Sequence, residues 1–324
     1  MVGIVVVLVL LASAGLPPFG KTADQLVGDA AANLTSAPAV QVDARFVQNG
    51  TPYSMSWRVN RSGDLIATVS FKGSKDDVIS VGGKVWMRTD KAFWDNLGRT
   101  DALAQKVLPA HWMIVAQGGS VIAPDVPNPA SLRNLLPFGP SDLSKGPAQA
   151  TGGQQTVKLS DSRADIYVTA AGPTRLVRLV FAPGYTDRTG ISGLDARFSY
   201  PRRLTVTAPS GFYDPNDPST LPGEYTVDQV NRGTCDGAGC VYTVTVRNHF
   251  GSSGGQATAT VKLTTQSGGS LGSCRAPIPR VGYNQTENVS CTVSGSAWAN
   301  FFNSGSGTLR WLRQADVHNP IWDD

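Results

Sequence analysis

Three successive segments alternate apolar and polar residues with a period of two, and this pattern constrains the chain more than any other. Val40, Val42, Ala44 and Phe46 alternate with Gln41, Asp43 and Arg45; Met55, Trp57 and Val59 follow Gly50-Thr51-Pro52; Leu65, Ala67, Val69 and Phe71 follow Ser62-Gly63. Successive side chains of a strand point to opposite faces, so each segment carries one apolar face. The turn residues between them predict antiparallel neighbours. Val78 to Val81 and Lys84 to Arg88 then flank Gly82-Gly83, a pair that can take the positive φ angles of a tight hairpin. The expectation is a meander of at least five strands, whose apolar face something must cover.

The predicted cover is helical. Thr22-Ala23-Asp24-Gln25 has the form of a capping box, and Leu26, Val27, Ala30, Ala31 and Leu34 follow at helical spacing until Pro38. Phe93-Trp94 opens a run with Leu97, Leu103 and Val107 at helical spacings, predicting one helix or two short ones over Phe93 to Leu108 on the concave side of the sheet. Pro129 to Leu136 reads as another helix, with proline in its first turn. Strands resume at Thr156 to Leu159, Ala164 to Thr169, Leu176 to Phe181 and Ala196 to Tyr200. Only two of the acidic residues are Glu, while Gly, Pro, Ser, Thr and Val are plentiful, which disfavours a long helical bundle. The class is therefore mainly β with a few helices (α+β).

The hairpin Gly83-Lys84-Val85-Trp86, the Phe93-Trp94 pair and the strand His111-Trp112-Met113-Ile114-Val115 together resemble the actinobacterial LppX/LprG-type (LppX_LprAFG) lipid-carrier lipoproteins, over about residues 22–206. That resemblance implies a curved antiparallel half-barrel sheet with helices in its concavity and a hydrophobic pocket between them. It also implies carriage of a lipid, glycolipid or lipoglycan by its acyl chains, near a membrane surface, with no catalytic residue and no cofactor. The pocket candidates are Met55, Trp57, Val69, Phe71, Trp86, Phe93, Trp94, Leu97, Leu103 and Val107, with Leu132, Leu135, Leu136 and Phe138 on the lid side. Large apolar residues of a β domain are more often plain core, and the resemblance is what favours a cavity. An apolar pocket suits acyl chains because each buried CH₂ contributes roughly 0.8 kcal/mol. Members of this family are often anchored through a lipidated Cys after the signal, and this chain has no Cys before Cys235.

At 324 residues the chain exceeds one average domain. Residues 207–223 are rich in proline and glycine and read as a linker. Beyond it, residues 224–324 hold short strand-like segments, Tyr225 to Val230, Val241 to Asn248, Ala257 to Thr265, Glu287 to Ser294 and Thr308 to Arg313, at the spacing of an immunoglobulin-like β-sandwich. All four cysteines, Cys235, Cys240, Cys274 and Cys291, lie there, and an even number in an exported β domain reads as disulfides. Three pairings are possible; the flexible Asp236 to Gly239 loop favours Cys235 with Cys240, leaving Cys274 with Cys291. A zinc site prefers two closely spaced pairs, and the second spacing here is long. Residues 1–21 begin with the apolar run Ile4 to Leu11 and the small-x-small Ala12-Ser13-Ala14, which predicts export through a signal peptide or a membrane anchor. A cytosolic protein with an apolar arm is the remaining alternative.

Catalytic motifs are weak. Gly268-Gly269-Ser270-Leu271-Gly272 satisfies G-x-S-x-G, but a nucleophile elbow needs a strand before it and a helix after it, and a loop is expected here. His111, His249 and His318 are far apart and in no metal-ligand spacing. Residues 22–206 carry 20 Lys plus Arg against 15 Asp plus Glu, so any attraction to acidic headgroups belongs to the first domain. No basic run is interleaved with aromatics, which argues against nucleic acid as a partner. The sequence thus predicts a non-catalytic envelope protein that transports or presents lipid. The alternative is a closed-core structural or adhesive module whose C-terminal sandwich engages protein or polysaccharide.

Overall fold

The structure is a computed structural model that describes residues 20–115, 143–251, 256–304 and 308–323. The chain forms two compact units, one of residues up to Gly98 with Ile114–Ser210, the other of Arg99–Met113 with Gly211 onward. It is mainly β, with large antiparallel sheets and few helices.

Helix α1, Ala23–Ser36, begins at a capping box in which Thr22 Oγ1 accepts from the Gln25 N–H and Gln25 Oε1 accepts from the Thr22 N–H. It buries Leu26, Val27, Ala30, Ala31 and Leu34. Eleven strands follow: β1 (Ala39–Gln48), β2 (Thr51–Asn60), β3 (Leu65–Phe71), β4 (Ser74–Val81), β5 (Lys84–Arg88), β6 (Trp112–Val115), β7 (Ser144–Thr151), β8 (Gln154–Ser160), β9 (Ala164–Thr169), β10 (Leu176–Phe181) and β11 (Ile191–Ser199). They form one open, curved sheet in the order β6-β5-β4-β3-β2-β1-β11-β10-β9-β8-β7. The chain starts at the middle, meanders to one edge and returns from the other, until β11 pairs with β1.

One face of this sheet is apolar across both halves. Val42 of β1 lies opposite Trp57 of β2 and Phe198 of β11, and the row continues through Ala67 and Val78 to Met87; all six are buried. Helix α1 lies against β9 and β10, whose buried residues include Ile166, Val168, Leu176 and Leu179. The other face is polar. There Asp77 accepts from Thr68 Oγ1 at 2.8 Å and from Arg88 at 2.7 Å, and Asp195 takes a two-pronged pair from Arg178 at 2.8 and 2.7 Å. The β4–β5 hairpin turns on Gly82 and Gly83 with φ of 58° and 77°, which a residue with a Cβ adopts only under strain.

Several expectations need correction. Of the two readings of Phe93 to Leu108, the structure forms the two short elements, a helix α2, Lys91–Asn96, and a π-helical turn, Leu103–Val107, but they do not share one core. The π turn belongs to the second unit, where Lys106 Nζ donates to the carbonyls of Trp322 and Asp323 at 3.0 Å each. Strand β7 lacks an alternating pattern, being exposed at most positions, and the sequence reading missed it. The proline-rich stretch around 211–223 is packed into the second unit: Leu221 is 1% exposed, and the Tyr213 N–H donates to the Trp112 carbonyl at 2.8 Å.

The second unit is a sandwich of two three-stranded sheets. Strands β12 (Tyr225–Cys235), β13 (Cys240–Asn248) and β16 (Thr286–Val293) form one; β15 (Ser270–Pro277), β14 (Thr258–Thr265) and β17 (Trp311–His318) form the other. Helix α3, Ser296–Ser304, adds Trp298 to their core. The structure pairs Cys235 with Cys240, closing the β12–β13 hairpin, and Cys274 with Cys291, joining β15 to β16 across the two sheets. With the latter pair 17 positions apart in sequence, replacing both by serine should cost the second unit about 3 kcal/mol in the chain-entropy account. Denaturant unfolding of the double variant checks this, and a loss below 1 kcal/mol would contradict it. Ser270 opens β15 and is followed by strand instead of helix, so the strained turn that exposes a nucleophile is not formed around it.

Candidate functional site

The apolar face of the first unit changes character toward one end of strands β1 to β4. Strand register aligns Phe46 with Tyr53, Tyr53 with Phe71, and Phe71 with Ser74. The three rings stack, Phe46 on Tyr53 at 5.2 Å and Tyr53 on Phe71 at 5.4 Å. Phe93 of α2 then meets Phe71 edge-on at 6.3 Å, and Trp94 meets Phe93 edge-on at 5.0 Å. Asp90 fixes this helix in place, because its carboxylate accepts from the Phe93 N–H at 3.0 Å and from the Lys75 N–H of β4 at 2.9 Å. Phe46, Tyr53 and Phe71 are only half-buried. They line an open cleft of about 640 Å³ together with Ser74, and Arg45, Ser54, Ser70 and Lys75 reach it from the polar side.

One row further in, the register runs Ala44, Met55, Val69, Asp76. Asp76 is therefore a carboxyl group on the apolar face, and it is fully buried. Its pKa is raised to about 7, chiefly by burial, with the Ser74 hydroxyl acting in the opposite direction and the negative charges of Asp90 and Asp77 adding to the rise. The Ser74 hydroxyl lies 3.0 Å from the Phe71 carbonyl and 3.3 Å from Asp76 Oδ2. With Ser74 Oγ donating to Oδ2, the one proton of a neutral Asp76 belongs on Oδ1, the oxygen without a partner. Near it, Thr89 is 2% exposed, and Thr89 Oγ1, Asp76 Oδ1 and the indole nitrogens of Trp57 and Trp94 have no hydrogen-bond partner among the described residues. Such a set can hold a polar group of a ligand whose remainder is apolar.

The structure gathers some of the sequence candidates and disperses others. Met55, Trp57, Val69 and Phe71 share the apolar face, and Phe93 and Trp94 join them from α2. Trp86 pairs with Ile79, which pairs with Ile66, so Trp86 lies on the opposite face. Leu97 follows α2 and is 41% exposed. Leu103 and Val107 belong to the second unit. Leu132, Leu135, Leu136 and Phe138 lie outside the described residues. Sequence reasoning missed Phe46, Tyr53, Ser74, Asp76 and Thr89 as site residues. Asp76 carried a readable signal: counted from the Gly82-Gly83 turn, it falls at the same inward parity as Val78.

No family model matches the chain, and no curated protein matches it. Among solved structures it is similar to LprF from Mycobacterium bovis at 15% identity, over 61% of this chain and 100% of that one, with a TM-score of 0.41. It is also similar to the Pseudomonas aeruginosa MucA/MucB complex structure at 12% identity, over 92% of this chain and 98% of that one, with a TM-score of 0.26. A DUF1329 family protein from Desulfovibrio piger matches at 10% identity, over 56% of this chain and 95% of that one, with a TM-score of 0.21. TM-scores below 0.5 establish neither a family nor a ligand for this chain.

Proposed function

We propose that the first unit is a non-catalytic binder of lipid acyl chains that works outside the cytoplasm. The observation that carries this reading is the continuity of an apolar sheet face with a half-buried stack of three aromatic rings at an open cleft of about 640 Å³. Ligand sites are concave, mostly apolar and furnished with a few polar groups, and this end of the sheet has that composition. Arg45 and Lys75 on the cleft suit an anionic headgroup left in solvent while the chains lie inward. The two disulfides fit an oxidising compartment. Among the described residues no helix is long and apolar enough to cross a membrane. Tyr283 and Leu312 of the second unit are exposed apolar residues, which is ordinary for a protein surface, so they do not favour that unit as the working part.

Quenching of intrinsic fluorescence tests the proposal. Of the seven tryptophans, Trp57 and Trp94 lie on or over the apolar face, so 9,10-dibromostearic acid should quench the wild-type protein. The Trp57→Phe, Trp94→Phe double variant should lose most of that quenching. Equal quenching in both proteins would place the chain elsewhere, and no quenching in either would count against acyl binding.

A further inference from the structure

We propose that Asp76, Thr89 and Trp94 form a buried polar site for the uncharged carbonyl oxygen of an acyl ligand, carried by an ester or by a protonated fatty acid. The proposal rests on the lipid reading above. Folded proteins satisfy nearly all buried polar atoms, so several orphaned ones close together mark a place where something else binds. Thr89 follows Arg88, whose partner in the sheet is Asp77, so Thr89 continues β5 opposite Asp76. Helix α2, which carries the buried Trp94, packs on β4. Trp57 stands two strands away on the next row of the same face.

The donor and acceptor inventory selects the ligand chemistry. An indole N–H only donates, a threonine hydroxyl can donate, and a neutral carboxyl donates. What the cluster lacks is an acceptor. The charges around Asp76 disfavour an anionic one: Asp77 is on the same strand, turned to the polar face and paired with Arg88, and Asp90 sits at the start of α2. On α2, Lys91 is paired with Asp95, and both are exposed; β3 presents Val69, which is neutral. An uncharged carbonyl oxygen fits these donors, and the apolar rows on either side accommodate its chain. The donor on Asp76 exists only while that carboxyl is protonated, so ligand release accompanies its ionisation.

cis-Parinaric acid and its methyl ester, bound to the full chain at pH 5.5 and pH 8.5, test this by fluorescence. The ester does not titrate, so its pH dependence belongs to the protein. Wild-type affinity for the ester should fall on the order of tenfold from pH 5.5 to pH 8.5 as a charge-neutral donor becomes an anion. Asp76→Asn keeps a donor that does not titrate, and its ester binding should be flat across that range. Asp76→Leu should bind the ester weakly at both pH values, and Thr89→Val should weaken it less. Thermal melts in the same buffers establish that each variant is folded; if Asp76→Leu fails to fold, Asp76→Asn and Thr89→Val decide. pH-independent ester binding in the wild type, unchanged in Asp76→Leu or, failing that, in Thr89→Val, means that the cluster holds water only; it overturns this proposal and leaves the lipid reading standing. Failure of the wild type to bind either probe overturns both.

Discussion

Replacing Asp76 with asparagine should stabilise the first unit at pH 8 by roughly 2–4 kcal/mol and leave its stability at pH 4 nearly unchanged. Asp76 has a folded-state pKa of about 7, against an ordinary value of 3.8. Between those two values the unfolded chain has released the proton while the folded chain keeps it, so the folded state binds more protons. Stability contributed by the neutral group is present below pH 3.8 and is lost as pH rises toward 7. The loss amounts to at most about 1.4 kcal/mol per pH unit, and the slope vanishes above 7. Subtracting the variant's denaturation curve from the wild type's isolates this contribution from carboxylates that behave oppositely, such as Asp195, whose pairing with Arg178 lowers its pKa. A difference that does not change with pH would show that Asp76 is solvated or paired with a cation.

The second large effect belongs to the sandwich. Trp298 is fully buried, lies within 5.3 Å of Trp311 and 5.6 Å of Phe302, ring centre to ring centre, and its Nε1 donates to the Asp236 carbonyl at 2.8 Å. Trp298→Ala removes that packing, leaves a cavity between the sheets and strips the Asp236 carbonyl of its donor. The expected cost is about 3–5 kcal/mol, read as a shift of the second unit's denaturant transition. Trp311, whose Nε1 donates to Tyr242 Oη at 2.7 Å, would lose its neighbour as well. A cost below 1 kcal/mol would mean that the sandwich core does not depend on α3.

Much of the sheet was legible because its strands alternate cleanly. β1, β2 and β3 carry their apolar residues two apart, and the observed register keeps them on one face. Strand β7 was not legible: its sequence, Ser-Lys-Gly-Pro-Ala-Gln-Ala-Thr, sits at a sheet edge and buries little. β15 hid for a similar reason, since it opens in the Gly/Ser-rich stretch after Gly268. Trp86 was placed on the wrong face because β4 has both Val78 and Ile79, so bulk alone cannot decide the parity there; the two-residue turn at Gly82-Gly83 decides it by pairing Val81 with Lys84. Leu103 and Val107 have helical spacing that says nothing about which core receives them, and the second unit does. The site itself was half legible. Its apolar members follow from the alternation, whereas Asp76 required reading a polar residue at an inward position as a feature of the site.

Native mass spectrometry of the full chain, purified without detergent from a lipid-containing host, reads acyl-lipid binding without a probe. The wild-type protein should carry a bound species of acyl-lipid mass at one per chain, released into organic solvent, and a Tyr53→Asp, Phe71→Asp double variant that remains folded by circular dichroism should lack it. A wild-type protein that carries no lipid, and that takes none up when acyl lipids are supplied, would contradict the lipid reading.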